Sequence, residues 1–505
     1  MSQTSWRDKP LEQDYLIKKP PFQALFIFAL PIIIGNLFQQ TYTMADSAIV
    51  GRFVSEQALA AVGASYSLTN IFICVAIGGG MGASVIVSQY FGAQKYDRMK
   101  TAIYTASLAF LGLSLLLGIF GLFCSREIMV LLNTPADCLS MASEYLRIYF
   151  LGLPFLFMYN VFSAMFNALG KSRIPLGFLI FSSLFNIVLD YLLVAGAHMG
   201  VSGVAWATLI AQGISAVLSM LVLLKILKKI SSPVSSIDDS SCSVGAMTAF
   251  SESHSVFDGK ELVSMTRIAI PSILQQSTVS IGMMLVQSVV NSFGSAALAG
   301  FSAAMRIESI CVVPMSGIGN AVSSYTAQNL GAGKTDRVVK GYHAAVRMVI
   351  FCAVILCISM ECFHHSLIAL FLGTDGAIEA FLTGEGYLTF MGWFFCMIGF
   401  KMSVDGLLRG SGDMVMFTVA NLVNLSIRVI VAMTCAPRFG IAMVWCAVPI
   451  GWTANFLISY ARYRTGKWKE REMVRMGSGW FLFENCLGLW LDCCRLAGCL
   501  GLWLD

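Results

Sequence analysis

Long apolar stretches alternate with short polar ones along most of the chain. Twelve of them are about 20 residues long and are bounded by charged or turn-forming residues. A helix of roughly 20 apolar residues crosses about 30 Å of hydrocarbon, so each stretch predicts one transmembrane helix. The pattern therefore predicts an all-α polytopic membrane protein with 12 transmembrane helices, the tenth of them over residues 387–408.

One long polar interval divides these helices into two sets of six. It is rich in Ser and Asp, a composition that cannot form a packed core, and it predicts a flexible linker. The predicted parts of the chain are an N-terminal segment (1–21), an N-lobe of helices one to six (22–228), the linker (229–264), a C-lobe of helices seven to twelve (265–462) and a tail of unknown role (463–505).

An internal repeat relates the two sets. QYFGAQKYDR at residues 89–98 recurs as QNLGAGKTDR at residues 328–337, an offset of 239. Six helices fall within one offset, and because six is even, both copies enter the membrane from the same side. We therefore expect two six-helix lobes related by a pseudo-two-fold axis along the membrane normal.

Composition agrees with a membrane protein, and the placement of charge predicts its orientation. Apolar residues make up 57% of the 505, and the 12% that are charged are too few to cover a soluble protein of this size. Lys and Arg concentrate in the N-terminal segment, the even-numbered loops and the tail, whereas the opposite loops hold only Arg52, Arg126 and Arg438. The positive-inside rule thus places both termini and the linker in the cytoplasm.

The sequence contains no nucleotide-binding or enzymatic motif. A phosphate-binding loop needs a glycine five residues before Gly-Lys-Ser/Thr. The two candidates, at Gly170 and Gly333, have Met165 and Gln328 there instead. The net charge of +5 does not indicate nucleic-acid binding, and the cysteines include no CxxC pair. We expect a protein that is not an enzyme, uses no ATP and holds no cofactor.

Ionisable side chains within the helices are the main functional candidates, because each costs at least about 2.5 kcal/mol at mid-membrane. Asp46 closes the first helix, and Asp190 lies in the fifth, on the same face as Asn186. With Thr208 of the sixth helix, they would form an oxygen-rich cluster suited to H⁺ or Na⁺. Alternatively, Asp46 lies at the outer interface and Asp190 caps a break in its helix.

The repeat does not preserve this charge in the C-lobe. Asn186 aligns with Asn424, but Asp190 then aligns with Arg428, and Asp46 aligns with a neutral region near Leu285. The two halves are thus alike in pattern and different in charge. We therefore expect ion coupling to belong to the N-lobe.

The helices of the C-lobe carry their own set of charges, namely Arg306, Glu308, Lys401, Asp405 and Arg428. Lys401 and Asp405 are four residues apart, as are Asp405 and Arg409. Side chains at this spacing are neighbours on a helix. We therefore expect that these charges neutralise each other.

Together these residues resemble the multidrug and toxic compound extrusion (MATE) transporters, specifically their prokaryotic members. The resemblance covers about residues 22–460 and rests on Pro31 followed by Gln39, Gln40, Tyr42 and Asp46, on VGRF from Val50, on ALAAVGAS from Ala58, on the paired QxxGAxKxDR loops and on NIVLD ending at Asp190. It implies a V-shaped, alternating-access exporter of two six-helix lobes, driven by H⁺ or Na⁺ antiport.

The resemblance also implies roles for individual residues. These are a helix hinge at Pro31, a cation-coupling site that could hold Na⁺ at Asp46, Asn186, Asp190 and Thr208, and a substrate cavity near Gln39 and Tyr42. Some members have an acidic residue in helix seven, where this chain has Gln275, Gln276 and Ser277, so a second coupling site there is not expected.

The expected function is a monomeric antiporter in the cytoplasmic membrane, with H⁺ or Na⁺ as coupling ion. Its partners would be the lipid bilayer and small-molecule substrates, which are amphipathic and often cationic organic compounds. The alternative is a lipid-linked oligosaccharide flippase of the same superfamily, which would need a basic central cavity for pyrophosphate. Arg306 and Arg428 favour this alternative slightly, whereas the acidic first lobe argues against it.

Overall fold

The computed structural model describes residues 15–53, 56–132, 134–230, 256–373 and 377–470, which contain helices and no β-strand. The helices are α1 (Tyr15–Lys18), α2 (Pro21–Phe53), α3 (Glu56–Gly92), α4 (Tyr96–Leu131), α5 (Ala136–Ala168), α6 (Arg173–Asp190), α7 (Gly200–Ile230), α8 (Gly259–Asn291), α9 (Ser295–Gly331), α10 (Thr335–Leu372), α11 (Ile378–Gly392), α12 (Phe395–Ser411), α13 (Met414–Phe439) and α14 (Ala442–Arg464). A π-helical segment, Tyr191–Gly196, continues α6, and a 3₁₀ turn, Lys467–Glu470, follows α14. Most of the predicted linker and tail lies outside the described residues.

The described residues contain 11 to 12 candidate membrane spans, in agreement with the apolar pattern. Eleven helices are long and apolar enough to span, and α11 with α12 forms a twelfth, broken span. The prediction of one continuous helix over 387–408 is wrong, because α11 and α12 are bent by 54° relative to each other. The bend falls at Trp393 and Phe394, between the end of α11 and the start of α12. Both residues are apolar, so a scan for apolar runs passes through the bend.

Helix α3 connects the two halves of the bundle, packing on α5 of the first half and on α8 and α9 of the second. Two of its glycines make the close approach to α8. A Cβ added at Gly82 would lie 2.5 Å from the backbone nitrogen of Ala269, and one at Gly78 would lie 2.6 Å from that of Ile273. Both distances are too short for any side chain, so glycine at these positions allows α3 and α8 to pack with their backbones nearly in contact.

The two copies of the sequence repeat meet each other where α3 and α9 end. A Cβ at Gly92 would overlap the carbonyl oxygen of Gln328, and a Cβ at Gly331 would overlap that of Gln89. Both glycines and both glutamines are separated by the repeat offset, so the contact is reciprocal. We call these four residues the α3–α9 crossing.

The glutamine side chains of the crossing each bind a helix end in the opposite half. Gln89 Nε2 donates to the carbonyl oxygen of Gly410 at 3.3 Å, and Gln328 Nε2 donates to that of Ala168 at 2.7 Å. Each acceptor lies two residues before a glycine with positive φ, Gly412 and Gly170 respectively, that follows the helix. Each hydrogen bond thus joins a glutamine of one repeat to the end of a helix in the opposite half.

The arginines that end the two repeats reach across in the same way. Arg98 lies 3.7 Å from the carboxylate of Glu261, at the start of α8 in the second half. Arg337 donates to the backbone carbonyls of Leu16 (3.2 Å) and Lys19 (2.7 Å), at the start of the first half. At this end of the bundle, a repeat arginine of each half therefore contacts the N-terminal residues of the other half.

Candidate functional site

A cavity of about 390 Å³ lies mainly among the helices of the first half. Its lining mixes amides, hydroxyls and apolar groups from α2, α3, α5, α6 and α7, while α9 and α12 close one side. Residues that define it are Pro31, Asn36, Gln39, Tyr42, Met81, Tyr159, Asn160, Asn167, Asn186, Thr208, Gln212, Asn320 and Arg409. Such a surface can take a ligand that is apolar in body and polar at a few points.

Five of the predicted site residues line this cavity, namely Pro31, Gln39, Tyr42, Asn186 and Thr208. Asp190 does not, because it is fully buried behind Asn186 at the last position of α6. Position 46 belongs to α2, but the side chain of Asp46 lies outside the described residues. The structure thus brings together three members of the proposed cluster, Asn186, Asp190 and Thr208, with their neighbour Tyr42.

The side-chain amide of Asn186 joins these groups. With its nitrogen toward Asp190, it donates to Asp190 Oδ2 at 3.1 Å and to the hydroxyl oxygen of Tyr42 at 2.7 Å. Its oxygen then accepts from the backbone N–H of Thr208 at 3.1 Å, and the Thr208 hydroxyl oxygen lies 3.5 Å from the same amide. The opposite orientation would point the amide oxygen at the carboxylate of Asp190. Asn186 therefore links a buried carboxylate to groups that line the cavity.

The helix changes its geometry directly after Asp190, where the π-helical segment begins. A π-helical turn widens the backbone and often occurs at functional sites. The segment continues α6 without a gap, and the side chain of Asp190 makes no capping hydrogen bond to it.

Pro31 lies inside α2, where it removes a backbone hydrogen-bond donor. One turn earlier, the carbonyl oxygen of Phe28 accepts a hydrogen bond from the Ser172 hydroxyl at 2.9 Å. Ser172 belongs to the short connection between α5 and α6 and also lines the cavity. A side chain from another helix pair thus stabilises the backbone beside the proline.

Arg409 of α12 is the one cationic side chain that lines the described part of this cavity. Its Nη2 donates to Asn320 Oδ1 at 2.8 Å, and its Nε donates to Ser323 Oγ at 3.3 Å. Within the described ranges Arg409 forms no direct salt bridge with Asp405, although the two predicted partners interact electrostatically at longer range. Its guanidinium extends toward α9 instead of along its own helix.

The predicted pair of Lys401 and Asp405 is confirmed, with Nζ and Oδ2 3.3 Å apart. Asp405 also accepts from Ser459 Oγ at 2.9 Å and from Asn421 Nδ2 at 3.3 Å. Both charged side chains are buried, and the carboxylate has partners on three other side chains. This cluster neutralises itself and is separate from the cavity.

Neutral amides and hydroxyls of the cavity were missed in the sequence. Asn160 and Asn167 of α5 and Gln212 of α7 face the same space. The available signal was their polarity within apolar runs, which a search restricted to ionisable side chains does not register.

Comparison with known proteins agrees with this architecture. The MatE family model matches twice, at residues 31–192 and 271–434, in accordance with the internal repeat. The chain is 30% identical to "Probable multidrug resistance protein YpnP" of Bacillus subtilis over 89% of this chain and 96% of that one. It is 25% identical to "Probable multidrug resistance protein YoeA" of the same organism, over 93% and 98%.

Solved structures show the same fold. An "outward-facing conformation of a multidrug resistance MATE family transporter of the MOP superfamily" superposes with a TM-score of 0.80 at 21% identity, covering 92% of this chain and all of the other. The family resemblance stated above is thereby confirmed. With two matching family segments on a bundle of twelve spans, this chain is a multi-pass membrane protein that belongs to the MATE transporter family.

Proposed function

We propose that the protein exports amphipathic, often cationic organic compounds across the cytoplasmic membrane by alternating access, in exchange for H⁺ or Na⁺. The observation that carries this proposal is the link from the buried Asp190 carboxylate through Asn186 to the cavity. The names of YpnP and YoeA support drug export as the activity of the family members that this chain resembles.

The coupling step follows from the cost of a buried charge. Asp190 is 0% exposed, and an ionised carboxylate in such a place needs a cation or hydrogen-bond donors to remain charged. Binding of H⁺ or Na⁺ would neutralise it and weaken its hold on the Asn186 amide. Because the same amide contacts Tyr42, the effect would reach α2 on the wall of the cavity.

The cation would then favour a different shape of α2. Tyr42 lies about three turns after Pro31, so a shift of Tyr42 acts on the half of α2 beyond the proline. The missing hydrogen bond at Pro31 makes bending there easier than elsewhere in the helix. Narrowing of the cavity by this movement would release substrate as the cation binds.

Alternating access also requires one end of the pathway to be closed. The positive-inside pattern predicts that the end that carries the two repeats faces the cytoplasm. There the α3–α9 crossing brings the two halves into backbone contact. We therefore propose that this structure is closed to the cytoplasm, and that the crossing must separate before substrate can enter from that side.

Dye efflux in everted membrane vesicles tests the proposal. H⁺ and Na⁺ gradients are applied separately. In wild-type vesicles, at least one of them should drive loss of a cationic dye from the medium into the vesicles. Asp190→Asn should abolish gradient-driven transport while leaving dye binding to purified protein intact. The matched control, Glu379→Gln, changes an exposed carboxylate at the start of α11 and should transport normally. Wild-type rates in Asp190→Asn would disprove the coupling role.

A further inference from the structure

A second cavity, of about 300 Å³, lies in the second half of the bundle between α8, α9, α11, α13 and α14. Its walls are largely apolar, with contributions from Met283, Phe301 and Val448. Two arginines, Arg306 of α9 and Arg428 of α13, face the same space. Two guanidinium groups therefore line one small and largely apolar cavity, that of Arg428 half-buried and that of Arg306 exposed.

These arginines have few partners in the part of the chain that the structure describes. Neither forms an ion pair within 4.0 Å, and the buried Nε of Arg428 has no hydrogen-bond partner. The nearby carboxylate, Glu308, accepts a hydrogen bond from the Tyr387 hydroxyl. With Glu308 ionised, the two arginines still leave an excess of positive charge at this cavity. With Glu308 protonated, the excess is larger.

The fifth span of each half carries an amide four residues before a charged side chain. In α6 these are Asn186 and Asp190, and in α13 they are Asn424 and Arg428. The amide of Asn186 binds the buried carboxylate of Asp190, whereas the guanidinium of Arg428 lines the second cavity. The two spans thus share a sequence pattern and differ in the sign of the charge.

We infer that the second cavity binds the acidic group of an amphipathic organic anion. An unpaired guanidinium in apolar surroundings is costly, and a carboxylate satisfies it with two parallel hydrogen bonds. The apolar walls would hold the body of the same molecule. Together with the first cavity, this site would let the protein carry anionic or zwitterionic compounds, an extension that rests on the proposed export function.

Binding to the purified protein tests the site without any gradient. The probe is a fluorescent pyrene carboxylic acid, and its methyl ester has the same apolar body without the charge. In vesicles of phosphatidylcholine, the wild type should bind the acid at least about tenfold more tightly than the ester. Arg428→Gln and, separately, Arg306→Gln should reduce that preference severalfold and leave ester binding unchanged.

Arg347→Gln is the matched control, because Arg347 is exposed on α10 and does not line the cavity. It should keep the wild-type preference for the acid. Equal affinity of the wild type for acid and ester would overturn the inference, as would an unchanged preference in both cavity variants. Competition by added phosphatidylglycerol that depends on Arg428 would also overturn it, by placing a lipid head group in the site. This binding measurement uses no ion gradient. Its result therefore does not depend on the outcome of the efflux assay that tests the proposed function.

Discussion

Substitution of Gly92 by Ala should separate the two halves at the repeat-bearing end. The added Cβ would lie 2.8 Å from the carbonyl carbon of Gln328 and 2.9 Å from its Cα. Both atoms belong to the backbone of α9, which cannot rotate away as a side chain could. Non-bonded carbon atoms normally lie about 3.5–4.0 Å apart, so the helices must move apart by about 1 Å.

The expected cost follows from this overlap. Overpacking of a well-packed interface costs about 1–3 kcal/mol. If the crossing is closed in one state of the transporter and open in the other, this energy acts on the closed state alone. The ratio of open to closed protein should then rise by about 5- to 150-fold.

Amide hydrogen exchange measured by mass spectrometry can detect this change. Exchange should accelerate at the ends of α3 and α9 in Gly92→Ala, and in the same segments in Gly331→Ala, because the contact is reciprocal. Amides of α12 around Asp405 should be unaffected. Gly112→Ala is the control, since a Cβ at this glycine of α4 has no neighbour within 4 Å.

The reasoning would be refuted by unchanged exchange at both helix ends in Gly92→Ala. An effect in Gly92→Ala without one in Gly331→Ala would contradict the reciprocity of the crossing. Faster exchange throughout the protein would indicate general destabilisation instead of a local opening.

Three further substitutions probe the contacts around this end. Gln328→Leu removes the shorter of two side-chain hydrogen bonds to the buried carbonyl of Ala168, which keeps the bond from Ser88 Oγ at 3.3 Å, so the melting temperature in detergent should fall by an amount corresponding to about 0.5–1.5 kcal/mol. Asp405→Asn leaves the charge of Lys401 buried and unpaired, which should cost about 3–5 kcal/mol, and adding Lys401→Met should recover most of the lost melting temperature. Arg337→Lys retains the charge but loses the planar donors that reach two carbonyls at once, so exchange of the α1 amides should accelerate while the melting temperature changes little.

Much of the fold could be predicted because membrane spans are local features. About 20 apolar residues suffice to identify each span, and the repeated loops indicate the two-fold relation. The bend between α11 and α12 could not be predicted this way, since Trp393 and Phe394 are as apolar as their neighbours. The α3–α9 crossing was also out of reach, because repetition indicates equivalence between two segments without indicating that they touch.

Prediction of the site was limited by the same difference between local and distant information. Asn186 and Asp190 share a helix face, so their proximity followed from spacing. The same rule did not give a direct contact for Arg409, whose long side chain binds Asn320 on another helix. Spacing along one helix shows which side chains can meet, whereas the competing partners come from tertiary structure.

The α3–α9 crossing has the symmetry of an interface between identical subunits. Gly92 contacts the backbone of Gln328, and Gly331 contacts the backbone of Gln89 in the same way. This reciprocal contact is the isologous arrangement of a two-fold dimer. Nothing in this contact requires a single polypeptide, so two chains of one repeat each could form it. Two identical chains, however, would carry identical cavities. Joining the repeats in one chain is what allows an acidic residue at position 190 and a basic one at position 428 to coexist in every molecule.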